Sequence, residues 1–464
     1  MTTIHATQPD VTTSSGHGFD LHTDTLIVGA GACGLIAALA AREAGQDVLV
    51  VEADAVPSGS TSLSAGLIPA AGTRLQVQSG IDDDAKRFAA DVQAKAHGEN
   101  DQELVNALSE GAREVVHWLM DQHGLAFSLV DDFDYPGHGA RRMHGLPSRS
   151  GRELINALRA RCEALDVDII CNRRAIVLHH QGLKVQGMTV VDPGDGQESV
   201  ACKKLILACN GFGGNRSMVK QYMPQIAEGV WFGHDGNQGE AVSWGEQLGA
   251  SIKHLGAYQG HGNVAHPHGI LITWAVITQG GIQVNLQGDR FWDESQGYSE
   301  AARAVLAQPD SVAITIFDER IAAIARQFED FKQAEDAGAI EICSTLEELA
   351  ERFSVPYDRL DASIRGIKPN SNDKFGRHFG IQTLSAPYFG VRVTGALFHT
   401  QGGLEVDRLG RVKHVNGEIF ANLFAGGGAA CGVSGKSDSG YLSGNGLLSA
   451  VVLGYRAGFA PCCD

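Results

Sequence analysis

Apolar positions along this chain change period several times, and each change marks an element. Leu26, Ile27 and Val28 form an unbroken apolar run, the pattern of a strand buried on both faces. Gly29-Ala30-Gly31-Ala32-Cys33-Gly34 interrupts it, an Ala/Leu-rich helix runs to about Gly45, and Val48 to Val51 form a second buried strand ending on Glu52. Helical periodicity returns from Asp101 to His123 and from Gly151 to Ala164, on either side of an irregular stretch from Asp131 to Ser150. Short strands follow from about Asp168 to Leu207, broken by the turn cluster 192–196, and Lys204 to Cys209 then run into Asn210-Gly211-Phe212-Gly213-Gly214. A helix is predicted before Gly249-Ala250.

From Ser251 to Arg365 the character differs. Strands are predicted near Ile282 to Val284 and Ala313 to Phe317, and helices near Arg320 to Asp336 and Thr345 to Arg352. Val391 to Phe398 then alternates like a strand, Ile419 to Gly428 is a strand running into glycines, and Leu447 to Ala457 is an apolar helix. This order predicts an α/β fold: a doubly wound, Rossmann-like dinucleotide-binding domain with an inserted α+β capping domain. The expected boundaries are a mobile tail over 1–22, the first part of the binding domain over 23–250, the cap over 251–365 and the second part over 366–464.

Bulk properties agree with this division. A chain of 464 residues exceeds the roughly 250–300 at which single cores stop growing. A net charge of −17 argues against nucleic-acid or anionic-membrane partners. Without an apolar run of roughly 18 residues or a signal-peptide core, a cytoplasmic location is expected. The nine cysteines, the terminal pair Cys462-Cys463 among them, show no CxxC or metal spacing, so reduced thiols and no metal are expected.

The chemistry is read from the turns. Gly29 permits the sharp turn after the first strand, Gly31 lets the backbone approach a pyrophosphate, and Gly34 lets helix and strand pack closely, while Glu52 can accept hydrogen bonds from a ribose. The loop Gly59-Ser60-Thr61-Ser62-Leu63-Ser64-Ala65-Gly66 could lie against a flat ligand and donate hydrogen bonds to it, or be an ordinary Ser/Gly loop. Gly211 lies at the carboxyl end of a strand, where doubly wound folds bind ligands. The free N–H groups at the start of the final helix suit the edge of a flavin that gains negative charge on reduction.

Four pieces in this order resemble the FAD-dependent fumarate reductase and 3-ketosteroid dehydrogenase superfamily. They are GxGxxG with Glu52, Ser60-Thr61-x-x-Ser64-x-Gly66, His399-Thr400-Gln401-Gly402-Gly403, and Gly444-Asn445-Gly446 before a helix. The resemblance implies bound FAD. Gly29, Gly31, Ala32 and Gly34 would sit at the diphosphate turn, Glu52 on the adenosine ribose, and Ala175 on the adenine through its backbone. Ser60, Thr61, Ser64 and Gly66 would meet diphosphate and flavin, Gly211 would join the cofactor site, and Leu447 and Leu448 would offer N–H groups to the flavin.

Departures from the fumarate-reducing members are informative. Their arginine acid, four residues after the Glu of Arg-Phe-x-x-Glu, corresponds here to Tyr298, and their carboxylate-binding arginine corresponds to Tyr441. A phenol gives one neutral donor with a mobile proton where an arginine gives a permanent charge. Tyrosines at both places resemble the ketosteroid dehydrogenases, and Ser443 resembles the Δ4-(5α) type. The resemblance implies that Tyr441 and a backbone N–H, that of Gly446, polarise a ring ketone, while Tyr298, served by Ser443, removes an α-proton.

Plainer readings stand beside these. Tyr441 could seal a pocket, Tyr298 could be a surface residue, and Ser443 could be a helix cap. His399 could bind substrate or be structural, Tyr135 could reach the site or be a turn aromatic, and His261, His266 and His268 superficially resemble a metal cluster without companion ligands. The expected activity is FAD-dependent α,β-dehydrogenation of a cyclic ketone such as a 3-ketosteroid or a smaller oxo-ring acid. Alternatives are reduction of an α,β-unsaturated carboxylate, or an electron-transferring flavoprotein subunit. The expected partners are a small-molecule substrate and an electron acceptor.

Overall fold

The computed structural model describes residues 9–14, 18–131 and 134–462. Two compact units divide the chain: Met1–Met218, Gly233–Tyr258 and His399–Asp464 form the first, and Val219–Phe232 and Gln259–Phe398 the second.

The first unit is built on a nine-stranded sheet. Its centre is parallel, with Asp168–Ile170, Val48–Val51, Leu21–Val28, Gln197–Leu207 and Ile419–Ala425 side by side. On the edge away from Leu21–Val28, strand Gln197–Leu207 serves two partners, pairing through its first half with Lys184–Val191 antiparallel and through Leu205 to Leu207 with Ile419–Ala425. Ile27 and Val50 are wholly buried, which explains their apolar runs.

Helix Ala32–Glu43 packs against helix Asn445–Phe459 at backbone distance. A Cβ on Gly454 would lie 2.5 Å from the carbonyl oxygen of Cys33, and one on Gly458 2.5 Å from that of Ala37. The buried Lys204 amine donates to the carbonyls of Ala457, Gly458 and Ala460 at 2.9, 2.8 and 2.6 Å, completing the carboxyl end of that helix with a positive charge. The two helices are thus fixed to each other and to the sheet.

The second unit contains a seven-stranded sheet with Tyr388–Thr400 at its centre. Val312–Asp318 pairs with it antiparallel from Val312↔Thr394 to Asp318↔Tyr388. One core contains Trp274, Phe317, Phe331 and Phe389, the other Ile282, Val284, Leu349 and Leu360.

Three expectations change, the first being that residues 219–232 belong to the second unit and 251–258 to the first, where the sequence division placed one boundary at 250. The expected tail over 1–22 contains a strand, Asp10–Thr13, that pairs in parallel with Val177 to His180, and Leu21 already belongs to the next strand; residues 1–8 and 15–17 of that tail lie outside the described residues. Polar sequence concealed this strand because it is an exposed edge. The chain returns to the first unit at His399, where the sequence division placed the return at 366, because strand Tyr388–Thr400 belongs to the second sheet. Alternation identifies a strand but not the sheet it joins.

Candidate active site

The glycine turn forms as its spacing requires. Gly29 has φ +103°, and a side chain there would collide with the Ala208 carbonyl at 2.5 Å; a Cβ on Gly34 would lie 1.9 Å from the Gly29 carbonyl. Gly31 caps helix Ala32–Glu43, and a Cβ there meets nothing nearer than Thr61 Oγ1 at 3.8 Å. Space is therefore left open above the first-turn amides. Thr61 Oγ1 accepts from the amide of Ala32 at 3.3 Å, which ties the Ser/Gly loop to the helix start.

Glu52 braces this turn. Its Oε2 accepts from the Ala30 amide at 2.7 Å and its Oε1 from the Asp54 amide at 2.9 Å, so each oxygen keeps one lone pair for a ribose hydroxyl. Arg173 donates its amide to the Glu52 carbonyl at 2.8 Å, which brings the buried Ala175 next to the same strand end.

Hydroxyls of the following loop differ in what they can offer. Ser60 Oγ accepts from Asn210 Nδ2 at 2.9 Å and Asn237 Nδ2 at 2.8 Å, so its own proton remains to be donated. Ser64 instead donates to the Thr61 carbonyl at 2.7 Å and accepts from the Gly66 amide at 3.1 Å, holding the loop closed. A Cβ on Gly211 would lie 1.9 Å from Thr400 Oγ1. At the final helix, the Leu448 amide is committed to the Gly444 carbonyl at 2.9 Å. Leu447 lies in the first turn, where amides have no partner within the helix.

Tyr441 precedes that helix and is 7% exposed. Burial pushes its phenol well above the ordinary range, although the Gly444 and Gly446 amides oppose the shift, so the group is a neutral donor at physiological pH. His399 stands beside it with ring centroids 5.5 Å apart and planes at 80°. Loss of solvent pushes the imidazole down to about 4, so it too is neutral. Ser443 is buried, and its carbonyl lies 2.9 Å from His138 Nε2. His138 is followed by the buried Arg142, which binds Asp83 at 2.9 Å and Asp91 at 2.6 Å. Tyr135 begins this loop, its carbonyl accepting the His138 amide at 3.2 Å.

Tyr298 belongs to the second unit, where it opens helix Tyr298–Leu306. Its ring stacks on His261 with centroids 5.0 Å apart and planes at 17°. His261 also faces Trp274 and Phe398, and loss of solvent pushes it down to about 3. Buried Arg290 and Arg377 bind the buried Glu294, and Arg290 also binds Asp373, which anchors the segment leading to Tyr298. Among the described residues no group of His, Cys, Asp and Glu could hold a metal ion.

Sequence reasoning missed several contributors. Asn210 and Asn237 act on Ser60 from 150 and 177 residues away, a relation no local pattern encodes. Gln401 was inside the His-Thr-Gln-Gly-Gly motif but had no role, and its Nε2 lies 2.8 Å from His399 Nδ1. His138 had no signal beyond its place in the loop.

Open space over Gly31, the Glu52 carboxylate, the free Ser60 proton and the positive end of helix Ala32–Glu43 fit an extended dinucleotide. Thr400 Oγ1, Asn445 Oδ1 and Ser449 Oγ are buried without a protein partner, the last two in the first turns of the final helix and the first beside Gly211. This fold and site define an FAD-dependent oxidoreductase acting on CH–CH bonds. The chain belongs to the FAD binding domain family, which it matches over residues 24–447. It is similar to a probable fumarate reductase, Ifc3, of Shewanella frigidimarina, with 30% identity over 447 residues, 94% of this chain and 74% of that protein. Its structure resembles the open conformation of a flavocytochrome c3 fumarate reductase, with a TM-score of 0.80, 28% identity and coverage of 95% of this chain and 78% of that one. It also shares the fold of the 3-ketosteroid-Δ4-(5α)-dehydrogenase of Rhodococcus jostii RHA1, with a TM-score of 0.76, 24% identity and coverage of 97% and 99%.

Proposed function

We propose that the enzyme introduces a carbon–carbon double bond next to the carbonyl of a cyclic ketone, or reduces the corresponding enone. The observation that carries this reading is the neutral pair formed by Tyr441 and His399 at the start of the flavin-edge helix. Two uncharged donors suit a ketone oxygen, which bears a partial charge, and strengthen as that oxygen becomes an enolate. A permanent cation at the Tyr441 position would instead suit a carboxylate.

In this reading Tyr441, helped by the Gly446 amide, polarises the carbonyl and so acidifies the α-carbon. Tyr298 and Ser443 are assigned to the α-proton, and His399 and Tyr135 to substrate binding. Bound FAD supplies the acceptor for the β-hydrogen, which leaves as hydride. One proton and one hydride depart, and the electron pair of the α-C–H bond forms the double bond. The protein's share is to orient the ketone and hold the developing negative charge. We assign the adenosine ribose to Glu52, the adenine to the Ala175 backbone, and the diphosphate to the turn at Gly29, Gly31, Ala32 and Gly34. Ser60, Thr61, Gly66, Gly211 and Leu447 complete the proposed cofactor site, with Ser64 and Leu448 supporting it through their internal bonds.

The relatives named as fumarate reductases favour a second reading, reduction of an α,β-unsaturated carboxylate. Anaerobic mixing of the oxidised enzyme with saturated ketones and with succinate separates the two. Flavin bleaching by a ketone supports the first reading, and bleaching by succinate alone overturns it, with Arg392 the next residue to examine.

A further inference from the structure

A chain of buried polar side chains ends on His399. Asn445 Nδ2 donates to Ser434 Oγ at 3.0 Å, Ser434 donates to Gln401 Oε1 at 2.7 Å, and Gln401 Nε2 lies 2.8 Å from His399 Nδ1. Gln401, Ser434 and Asn445 are 6%, 1% and 1% exposed, so water does not compete for these bonds. The Gln401 backbone is fixed as well, its amide donating to Ala257 at 2.8 Å and its carbonyl accepting from Gly432 at 2.9 Å.

The direction of the chain follows from the Thr400 carbonyl. That oxygen lies 3.4 Å from Gln401 Nε2, so the NH2 group can serve the imidazole with one hydrogen and the carbonyl with the other. Turning the amide over would set Oε1 against the Thr400 oxygen, two acceptors facing each other. His399 Nδ1 also lies 3.2 Å from the Thr400 carbonyl, but its contact to Gln401 is shorter, and only one hydrogen can occupy that contact. With Gln401 donating, Nδ1 is the acceptor and the ring proton resides on Nε2. A Cβ on Gly446 would lie 3.0 Å from Nε2, which locates this N–H at the helix start beside Tyr441.

We propose that Gln401, held by Ser434 and Asn445, fixes His399 in its Nε2–H tautomer and thereby makes the imidazole a second hydrogen-bond donor to the substrate oxygen. Gln401 is a positioning residue, acting through His399. The donor role rests on the ketone reading above, whereas the tautomer does not. As a donor in its resting state, His399 cannot take the α-proton through Nε2, which leaves that task to the phenol and hydroxyl groups.

Nitrogen NMR of the histidine-labelled, FAD-loaded enzyme without substrate tests the tautomer, with His399→Gln identifying the signal. The expected wild-type spectrum shows a protonated Nε2 and an unprotonated Nδ1. Gln401→Glu offers only acceptors and is expected to move the proton to Nδ1; Ser434→Ala, which frees the Gln401 amide to turn, is expected to give a mixture. Both variants are expected to retain FAD, and Gln401→Glu to lower kcat/KM for the ketone by at least tenfold. A wild-type Nδ1–H signature, or a Gln401→Glu spectrum identical to wild type, overturns the proposal. An Nε2–H signature in an enzyme that turns over no ketone overturns the ketone reading and leaves the tautomer standing.

Discussion

The Tyr441 ring meets the His399 imidazole edge-on, with centroids 5.5 Å apart and planes at 80°. Burial keeps the first group protonated and the second uncharged, so two groups that often exchange protons are here both fixed as neutral hydrogen-bonding groups. If Tyr441 holds the developing enolate, Tyr441→Phe removes one donor without creating a cavity. We expect turnover to fall by about 10²–10³-fold, as for loss of an oxyanion donor, with little change in substrate binding. Stopped-flow flavin absorbance at several ketone concentrations measures both quantities. A variant with wild-type flavin reduction would assign Tyr441 to the pocket wall.

The glycine turn allows a paired test of cofactor binding. Gly31→Ala is expected to fold with an unchanged melting temperature, because its Cβ meets nothing within 3.8 Å, yet to purify with little FAD because the methyl occupies the space left for the diphosphate. Gly34→Ala is expected to fail in folding itself, because the added carbon would lie 1.9 Å from the Gly29 carbonyl. Full FAD occupancy in Gly31→Ala would move the diphosphate away from this turn.

Acid sensitivity follows from buried histidines. Burial pushes His144 down to about 4 and His261 to about 3, so both stay neutral in the folded protein where the unfolded chain protonates them, below about 6.5. The unfolded state then binds more protons, and stability falls as pH drops from about 6.5 toward the folded values, by up to about 1.4 kcal/mol per pH unit for each group. Melting temperatures at pH 7.5, 6.5 and 5.5 should decline over the lower interval, and His144→Gln should flatten the decline. His399, pushed down to about 4, should contribute no ionisation to kcat/KM between pH 6 and 8.

How far the sequence revealed this molecule depends on how local each relation is. The segment from Leu26 to Glu52 was legible because strand, turn and helix are contiguous and Gly34 answers to the carbonyl of Gly29, five residues before it. Helix Gly151–Ala164 was legible for the same reason, its periodicity and Ser150 cap being local. Ser60 was legible as a polar loop residue but not as the acceptor of two asparagines far along the chain. The sheet membership of Tyr388–Thr400 depends on pairing with Val312–Asp318, which periodicity does not encode. His261 looked like a member of a histidine cluster; it packs instead as a neutral ring on Tyr298.

The α-proton assignment has its own test. Tyr298→Phe keeps the ring that stacks on His261 and removes only the hydroxyl, so the fold should be unchanged. Tyr298→Phe and Ser443→Ala should each slow flavin reduction. Their double variant should cost less than the product of the two, as for groups acting as one unit. Wild-type rates in Tyr298→Phe, or losses that multiply, would leave the proton to another group.

The central claim, a neutral carbonyl-polarising site beside FAD, is tested most directly by reoxidising photoreduced enzyme anaerobically with a ring enone or with fumarate and following flavin absorbance. The account predicts rapid reoxidation by the enone, slowed about 10²–10³-fold in Tyr441→Phe, and slow or no reaction with fumarate. Fast reoxidation by fumarate with none by any enone would contradict it.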